Sequence, residues 1–209
     1  MSIPKTRISD EQFVKMVANA KILESDTYGP KVFLLEDGRF IKIFRRKRLV
    51  SSALVVPYSQ RFIDNAEALK RKNIATLTPL QHYLLPDSRF RAVHYDPLQG
   101  KTLRAVSAET GFNWQSRIDQ LAQFIRLLHD KGVYFRSLHL GNIVECATGG
   151  LGLIDISDMR IYRRALPDSL RRRNLLHFSS YLQRENLLDT FPFDELQSRV
   201  IRDSAAIKS

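Results

Sequence analysis

The sequence predicts an α+β protein whose first lobe is a small antiparallel sheet and whose second lobe is short and mainly helical. Three observations predict it. Apolar runs at 31–35 and 39–44 flank Glu36-Asp37-Gly38, and runs at 81–85 and 90–95 flank Pro86-Asp87-Ser88. Turn residues between apolar runs mark hairpins, and Asp-Gly is a strong signal because both residues tolerate positive φ. Residues 114–131 place Ile118, Leu121, Ile125 and Leu128 at helical spacing. Between these halves, Pro97-Leu98-Gln99-Gly100 reads as a linker. The boundaries that follow are 1–97 and 98–209, together one domain.

Taken in order, Ser9-Asp10 offers an N-cap to a helix over 10–23, with Phe13, Val17 and Ala20 at helical spacing. The first strand pair comes next. A helix over 59–72 carries Phe62, Ala66 and Leu69 on one face, and the second strand pair follows it. The helix over 114–131 stops at Gly132, a residue suited to a left-handed C-cap. A loop containing Asn142 then leads to a short strand through Val144, the turn Ala147-Thr148-Gly149-Gly150, and a strand into Asp155. From about Pro167 the chain reads as helix, with Leu175, Leu176, Phe178, Tyr181 and Leu182 as apolar contacts. There is no internal repeat.

With 209 residues, 44% of them hydrophobic, the chain is long enough to bury a sizeable core. A single cysteine, Cys146, forms no intramolecular disulfide, which suits a reducing compartment. No apolar run follows the N-terminus and no stretch of eighteen apolar residues occurs, so a soluble, cytoplasmic protein is expected. The net charge of +11 concentrates in Arg45-Arg46-Lys47-Arg48 and in 160–173, which holds Arg160, Arg163, Arg164, Arg171, Arg172 and Arg173. Such runs attract phosphate-rich partners, namely nucleic acid, anionic lipid headgroups or phosphorylated glycolipid, or else form a solvated face. No zinc-finger, RNA-binding aromatic or basic-zipper pattern accompanies them, so specific nucleic-acid binding is not expected. No feature specifies an oligomer.

Chemistry concentrates in Leu138-His139-Leu140-Gly141-Asn142-Ile143 and, thirteen residues after Asn142, in Asp155 at the end of Gly152-Leu153-Ile154-Asp155. An amide and a carboxylate, each beside a strand-like segment, can hold a divalent metal against nucleotide phosphates. Upstream, Lys42 lies within Phe40-Ile41-Lys42-Ile43-Phe44. An ammonium on a rigid strand can neutralise phosphate charge, and the alternative is an ordinary lysine on an exposed edge. His82, His94, His129 and His177 have no metal-ligand spacing and read as structural. No serine sits in a nucleophile elbow, and Cys146 has no recognisable histidine partner, so hydrolase chemistry has no support.

Together with Tyr95 to Leu103 and Leu128-His129-Asp130-Lys131-Gly132-Val133, these segments resemble the bacterial lipopolysaccharide-core kinase family. That family includes heptose and Kdo kinases, and toluene-tolerance proteins have similar sequences. The resemblance spans roughly residues 28–190. It implies a protein-kinase-like two-lobed fold, with ATP as nucleotide and Mg²⁺ as metal. It also implies a glycolipid or sugar acceptor of the lipopolysaccharide core and a place at the inner-membrane surface. By that likeness Lys42 holds phosphates, while Asn142 and Asp155 hold Mg²⁺. The partner of Lys42 would be Asn65, favoured by register, or Glu67, favoured by charge. Helical geometry does not choose between them, because residues two apart lie about 200° apart around the helix.

Two departures from the family stand out. Only Gly29 represents the glycine-rich phosphate loop, and Ser137 replaces the catalytic aspartate five residues before Asn142. General-base assistance is worth about 10²–10⁴-fold, whereas positioning and metal electrostatics dominate phosphoryl transfer. Three outcomes stay open. The chain is a kinase, slow or with Asp158 or another acid as base; a pseudokinase that binds or regulates; or a basic membrane-surface or nucleic-acid adaptor. His139 reads as a brace for the loop. On the kinase reading, Ser137→Asp is expected to raise turnover and Asp155→Ala to abolish it.

Overall fold

A computed structural model describes residues 3–45 and 56–201. Arg46, Lys47 and Arg48 of the first basic run lie outside the described residues. The chain divides into two compact units, Met1–Leu98 and Gln99–Ser209, and each mixes helices with strands.

The first unit is built on a six-stranded sheet. Its elements are β1 (Lys5–Arg7), α1 (Asp10–Val17), β2 (Lys21–Asp26), β3 (Gly29–Leu34), β4 (Phe40–Arg45), α2 (Tyr58–Arg71), β5 (Ala75–Thr76), β6 (Thr78–Leu84) and β7 (Phe90–Asp96). The strand order is β1-β6-β7-β4-β3-β2, antiparallel except for the parallel β1–β6 pair. Alternation along β4 sorts its side chains between two faces. Ile41 and Ile43 join Phe33, Ala92 and the α1 residues Phe13, Met16 and Val17 on one face. Phe44 packs against Phe62 of α2 on the other, with ring centroids 5.2 Å apart, and Tyr95 meets Phe62 at 5.4 Å.

The expected helix over 10–23 stops at Val17, and residues 21–26 form an edge strand instead. Ser9 caps the helix as anticipated, and its capping box with Gln12 is complete. Beyond Val17 the chain turns, and pairing with β3 through an irregular register overrides the weak helical spacing. At Asp37-Gly38 the hairpin forms as predicted. Gly38 takes φ 81°, and Asp37 Oδ1 accepts from the Arg39 backbone at 3.0 Å.

The second unit comprises β8 (Gly100–Thr102), α3 (Leu103–Val106), α4 (Ile118–Asp130), β9 (Val133–Phe135), β10 (Ile143–Cys146), β11 (Leu151–Leu153), β12 (Met159–Ile161), α5 (Asp168–Arg184) and α6 (Phe193–Ile201). The helix expected over 114–131 is broken at Arg117, whose φ of −121° is not helical, so Trp114–Ser116 is a separate 3-10 turn. Asn113 Oδ1 holds that turn by accepting from Gln115 N at 2.9 Å. In α4, Ile118, Leu121, Ile125 and Leu128 are buried, and the helix packs on α6. Strand β10 pairs antiparallel with both β8 and β11, and β9 pairs antiparallel with β12. These two ladders carry the segments that contain Ser137, Asn142 and Asp155. Among the described residues, no helix is long and apolar enough to cross a membrane.

Candidate functional site

The loop from Phe135 to Ile143 is fixed at both ends by strands and in its middle by leucines. Leu138 and Leu140 are buried, and Leu140 O accepts from Arg104 N at 3.0 Å. Alternation with these anchors leaves Ser137 and His139 half-buried. His139 lies flat on Tyr181, with ring centroids 4.2 Å apart and planes 9° from parallel. Its Nδ1 is 3.2 Å from Gly141 N and its Nε2 is 3.0 Å from Asn142 Nδ2. Both neighbours are donors and a neutral imidazole has one accepting nitrogen, so the ring accepts from one of them, and a second ring proton would face a donor at each position. Burial likewise holds the His139 pKa below its ordinary value. His139 is therefore a neutral brace within the loop, as expected.

Asn142 is 8% exposed. Its Nδ2 donates to Ser137 O at 3.0 Å and approaches His139 Nε2, which leaves Oδ1 as the side-chain atom not turned into the loop. Ile154 N donates to Asn142 O at 3.0 Å, and this bond sets the end of β11 beside the asparagine. The next residue, Asp155, takes φ 50° and ψ 47°. Aspartate is one of the few residues with a β-carbon that enter the left-handed region as single residues, and residues held there are enriched at functional sites. The kink sends Ile156 into the core, fully buried, and keeps Asp155 exposed.

Asp158 closes the short 3-10 turn Ile156–Asp158. Because Met159 pairs with Phe135 across the β12–β9 ladder, the residues just beyond each strand meet. Ser137 Oγ donates to Asp158 Oδ2 at 2.6 Å. The other oxygen, Asp158 Oδ1, is buried with no hydrogen-bond partner among the described residues. Burial pushes the Asp158 pKa above the usual carboxylate range, and the nearby Asp155 charge adds to this, while the Ser137 hydroxyl opposes it.

Residues outside the motif hold the loop in place. Buried Asn174 of α5 accepts at Oδ1 from His129 Nε2 at 3.0 Å and donates from Nδ2 to Phe135 O at 2.6 Å. It ties α4 to the end of β9. Its sequence signal was a polar residue on the same face as Phe178 and Tyr181, and Tyr181 itself read only as an apolar contact.

In the first unit, Lys42 is 6% exposed on β4, which is flanked on both sides by strands. It is not an exposed edge lysine. Val32 and Val93 sit opposite it on the neighbouring strands, and its Nζ lies 5.8 Å from the Phe44 ring centroid and 5.9 Å from that of Phe62. Burying an ammonium is costly unless charges or dipoles repay it. On α2, Asn65 and Glu67 are both half-buried, one on each border of the Phe62-Ala66-Leu69 stripe. Glu67 makes an ion pair along the helix with Arg71 at 3.8 Å. Gly29 stands in the β2–β3 hairpin at φ 111°, with open space where a side chain would begin.

Among the described residues, no group of three or more His, Cys, Asp or Glu side chains is arranged to hold a metal. Asn142 and Asp155 instead supply an amide and a carboxylate, both hard oxygen donors, on segments joined by the Ile154 N–Asn142 O bond. That set fits Mg²⁺, which usually takes one or two protein carboxylates and completes its shell with water and phosphate.

No protein-family model and no curated protein matches this chain. Function therefore rests on its own geometry and chemistry.

Proposed function

We propose that this chain is an ATP-dependent phosphotransferase with a protein-kinase-like two-lobed fold, similar to the lipopolysaccharide-core kinases and toluene-tolerance proteins. Its acceptor would be an anionic glycolipid or sugar of the lipopolysaccharide core. The observation that carries the reading is the juxtaposition of Asn142 with a left-handed Asp155, fixed by the Ile154 N–Asn142 O bond. An exposed carboxylate in a left-handed turn beside the segment of a buried asparagine suits a ligand more than it suits packing.

Asn142 Oδ1 and the Asp155 carboxylate are the groups assigned to Mg²⁺. When bound, the ion neutralises charge on the transferred phosphoryl group. Lys42 is assigned to nucleotide phosphates, and its burial on a central strand supplies the rigidity that the role demands. Glu67, or Asn65, is assigned to orient Lys42. Exposed Arg160, Arg163, Arg164, Arg172 and Arg173 are assigned to the anionic acceptor. Arg171 is already engaged by Asp130 at 2.7 Å and Leu166 O at 2.9 Å. A core-glycolipid acceptor implies action from the cytoplasm, at the surface of the inner membrane. Phosphates added to core sugars let divalent cations bridge neighbouring glycolipids, which fits an envelope role by fold-level analogy.

The test is calorimetric titration of ATP into the full chain with and without Mg²⁺, repeated on Asp155→Ala and Lys42→Ala. Mg²⁺-dependent binding that either substitution weakens by about tenfold or more is the expected result. Wild-type protein that takes up no Mg·ATP, or Asp155→Ala that binds it equally well, overturns the reading. Ser137 favours one second reading, a pseudokinase that binds nucleotide as a regulatory module. Mg·ATP binding without phosphotransfer selects it.

A further inference from the structure

The loop position at which a kinase of this kind needs a carboxylate holds Ser137, and the hydroxyl of Ser137 is bonded to one. We propose that Asp158 supplies the missing acid through Ser137, so that the two side chains together form the proton-accepting group of the site. This inference rests on the phosphotransfer reading and concerns the same site.

Three features of the pair support it. The Ser137 Oγ–Asp158 Oδ2 distance of 2.6 Å lies in the range of hydrogen bonds from a hydroxyl to an ionised carboxylate. The bond commits the serine proton to Asp158, which leaves the lone pairs of a half-buried Oγ to face an incoming hydroxyl. Asp158 Oδ1 is buried and without a partner among the described residues. A carboxylate kept only to anchor a serine would be expected to have both oxygens satisfied, as buried polar groups nearly always are. Finally, the pair is held from both sides. The β9–β12 register fixes one side, and the bond from Asn142 Nδ2 to Ser137 O ties the serine to the proposed metal ligand.

The acceptor hydroxyl oxygen forms a bond to the γ-phosphorus of ATP while the bond from that phosphorus to the β,γ-bridging oxygen breaks, and ADP leaves with the electron pair. The acceptor proton passes to Ser137 Oγ as the serine proton passes to Asp158 Oδ2. Ser137 touches the acceptor, and Asp158 acts through it as a positioning and proton-holding residue.

This arrangement changes what restoring the loop acid should do. Ser137→Asp alone sets two carboxylates at hydrogen-bonding distance, where like charges resist joint ionisation. The substitution that preserves the logic of the site is the exchange Ser137→Asp with Asp158→Ser.

The experiment measures ADP release from Mg·ATP by the full chain, with water as the acceptor. It compares wild type, Asp158→Asn, Ser137→Ala, Ser137→Asp and the exchanged pair, each checked by calorimetric Mg·ATP binding and by its melting temperature. Asp158→Asn is expected to lower kcat by about 10²-fold, within the range for general-base loss, with KM for ATP and melting unchanged. Ser137→Ala is expected to do the same. The exchanged pair recovers most of the rate, and Ser137→Asp alone does not. If Asp158→Asn fails to fold, Ser137→Ala carries the comparison, since it keeps the carboxylate. The inference is overturned by wild-type kcat in Asp158→Asn, or by an exchanged pair no faster than that variant. Wild type that binds Mg·ATP yet releases no ADP overturns the inference while leaving the nucleotide site standing. Absence of Mg·ATP binding overturns the phosphotransfer reading and the inference with it.

Discussion

His82 and His129 are 2% and 0% exposed, and burial is the main cause that holds both pKa values at about 4. Each has one ring nitrogen bonded, His82 Nε2 to Ser59 Oγ and His129 Nε2 to Asn174 Oδ1, both at 3.0 Å. Each also has an Nδ1 that is buried without a partner among the described residues. Protonation would place a second N–H where nothing accepts it. The unfolded chain, with an ordinary histidine pKa near 6.5, binds protons that the folded chain refuses. Their contribution is therefore complete above about pH 6.5 and is lost progressively as pH falls toward 4, on the order of 3 kcal/mol for each group. Asp158, raised rather than lowered, acts in the opposite direction. Urea midpoints should fall between pH 7 and pH 5, and His82→Gln with His129→Gln should flatten that slope even if both lower the midpoint at pH 7. An unchanged slope would contradict the assignment. At this scale the sequence was legible where chemistry is local: Asn142 and Asp155 stand on two short strand-bearing segments, and the Ile154 N–Asn142 O bond brings those segments together. It named Asp158 only as one candidate base, because its contact with Ser137 spans 21 residues and exists only through the β9–β12 register.

Elements ended where the backbone demanded it more than where hydrophobic spacing ran out. Gly132 takes φ 73°, and a β-carbon there would lie 2.4 Å from Arg164 O and 2.5 Å from Tyr162 O. It is both the left-handed cap expected after α4 and the point of closest approach for the chain leaving β12. Gly38 takes φ 81° with nothing within 4 Å of its missing side chain. The two glycines separate conformational strain from collision. Gly38→Ala should cost about 1 kcal/mol. Gly132→Ala adds a clash with backbone that cannot rotate away and should cost on the order of 3 kcal/mol or more. Thermal unfolding is the check, with roughly 2–4 °C lost per kcal/mol in a chain of this size. Equal losses would remove the collision argument. Gly132 was readable from sequence because a helix stop has a local signature. Strand β1 was not, since its three residues are exposed and its parallel pairing with β6 comes from distant chain. The final helical stretch likewise proved to be two helices, because Asn186 takes φ 55° and ends α5, a stop that Asn shares with Gly.

At the scale of the whole molecule, the charge of +11 is organised rather than scattered. Between Arg160 and Arg184 stand seven arginines against one acid, Asp168. On α5, Arg172 and Arg173 are exposed and precede Leu176 by one turn, and Leu176 is 66% exposed opposite the face formed by Asn174, Phe178 and Tyr181. A large apolar side chain one turn from two arginines is favoured at the boundary of an anionic bilayer, where each basic residue contributes about 1 kcal/mol. On the proposed reading, this helix face meets the surface in which a glycolipid acceptor sits. The full chain should therefore sediment with vesicles containing anionic lipid and not with neutral ones. Arg172→Ala with Arg173→Ala should weaken that binding by about 30-fold, the equivalent of two basic contacts. Added salt should weaken it as well, since the surface potential decays over a Debye length of about 8 Å at physiological ionic strength. Leu176→Asp should reduce binding even at low salt, where screening is least, because it removes the apolar contact and adds a like charge to the anionic surface. Binding that tracks net charge alone, indifferent to Leu176, would make the arginines a general cation surface and separate the acceptor from this helix.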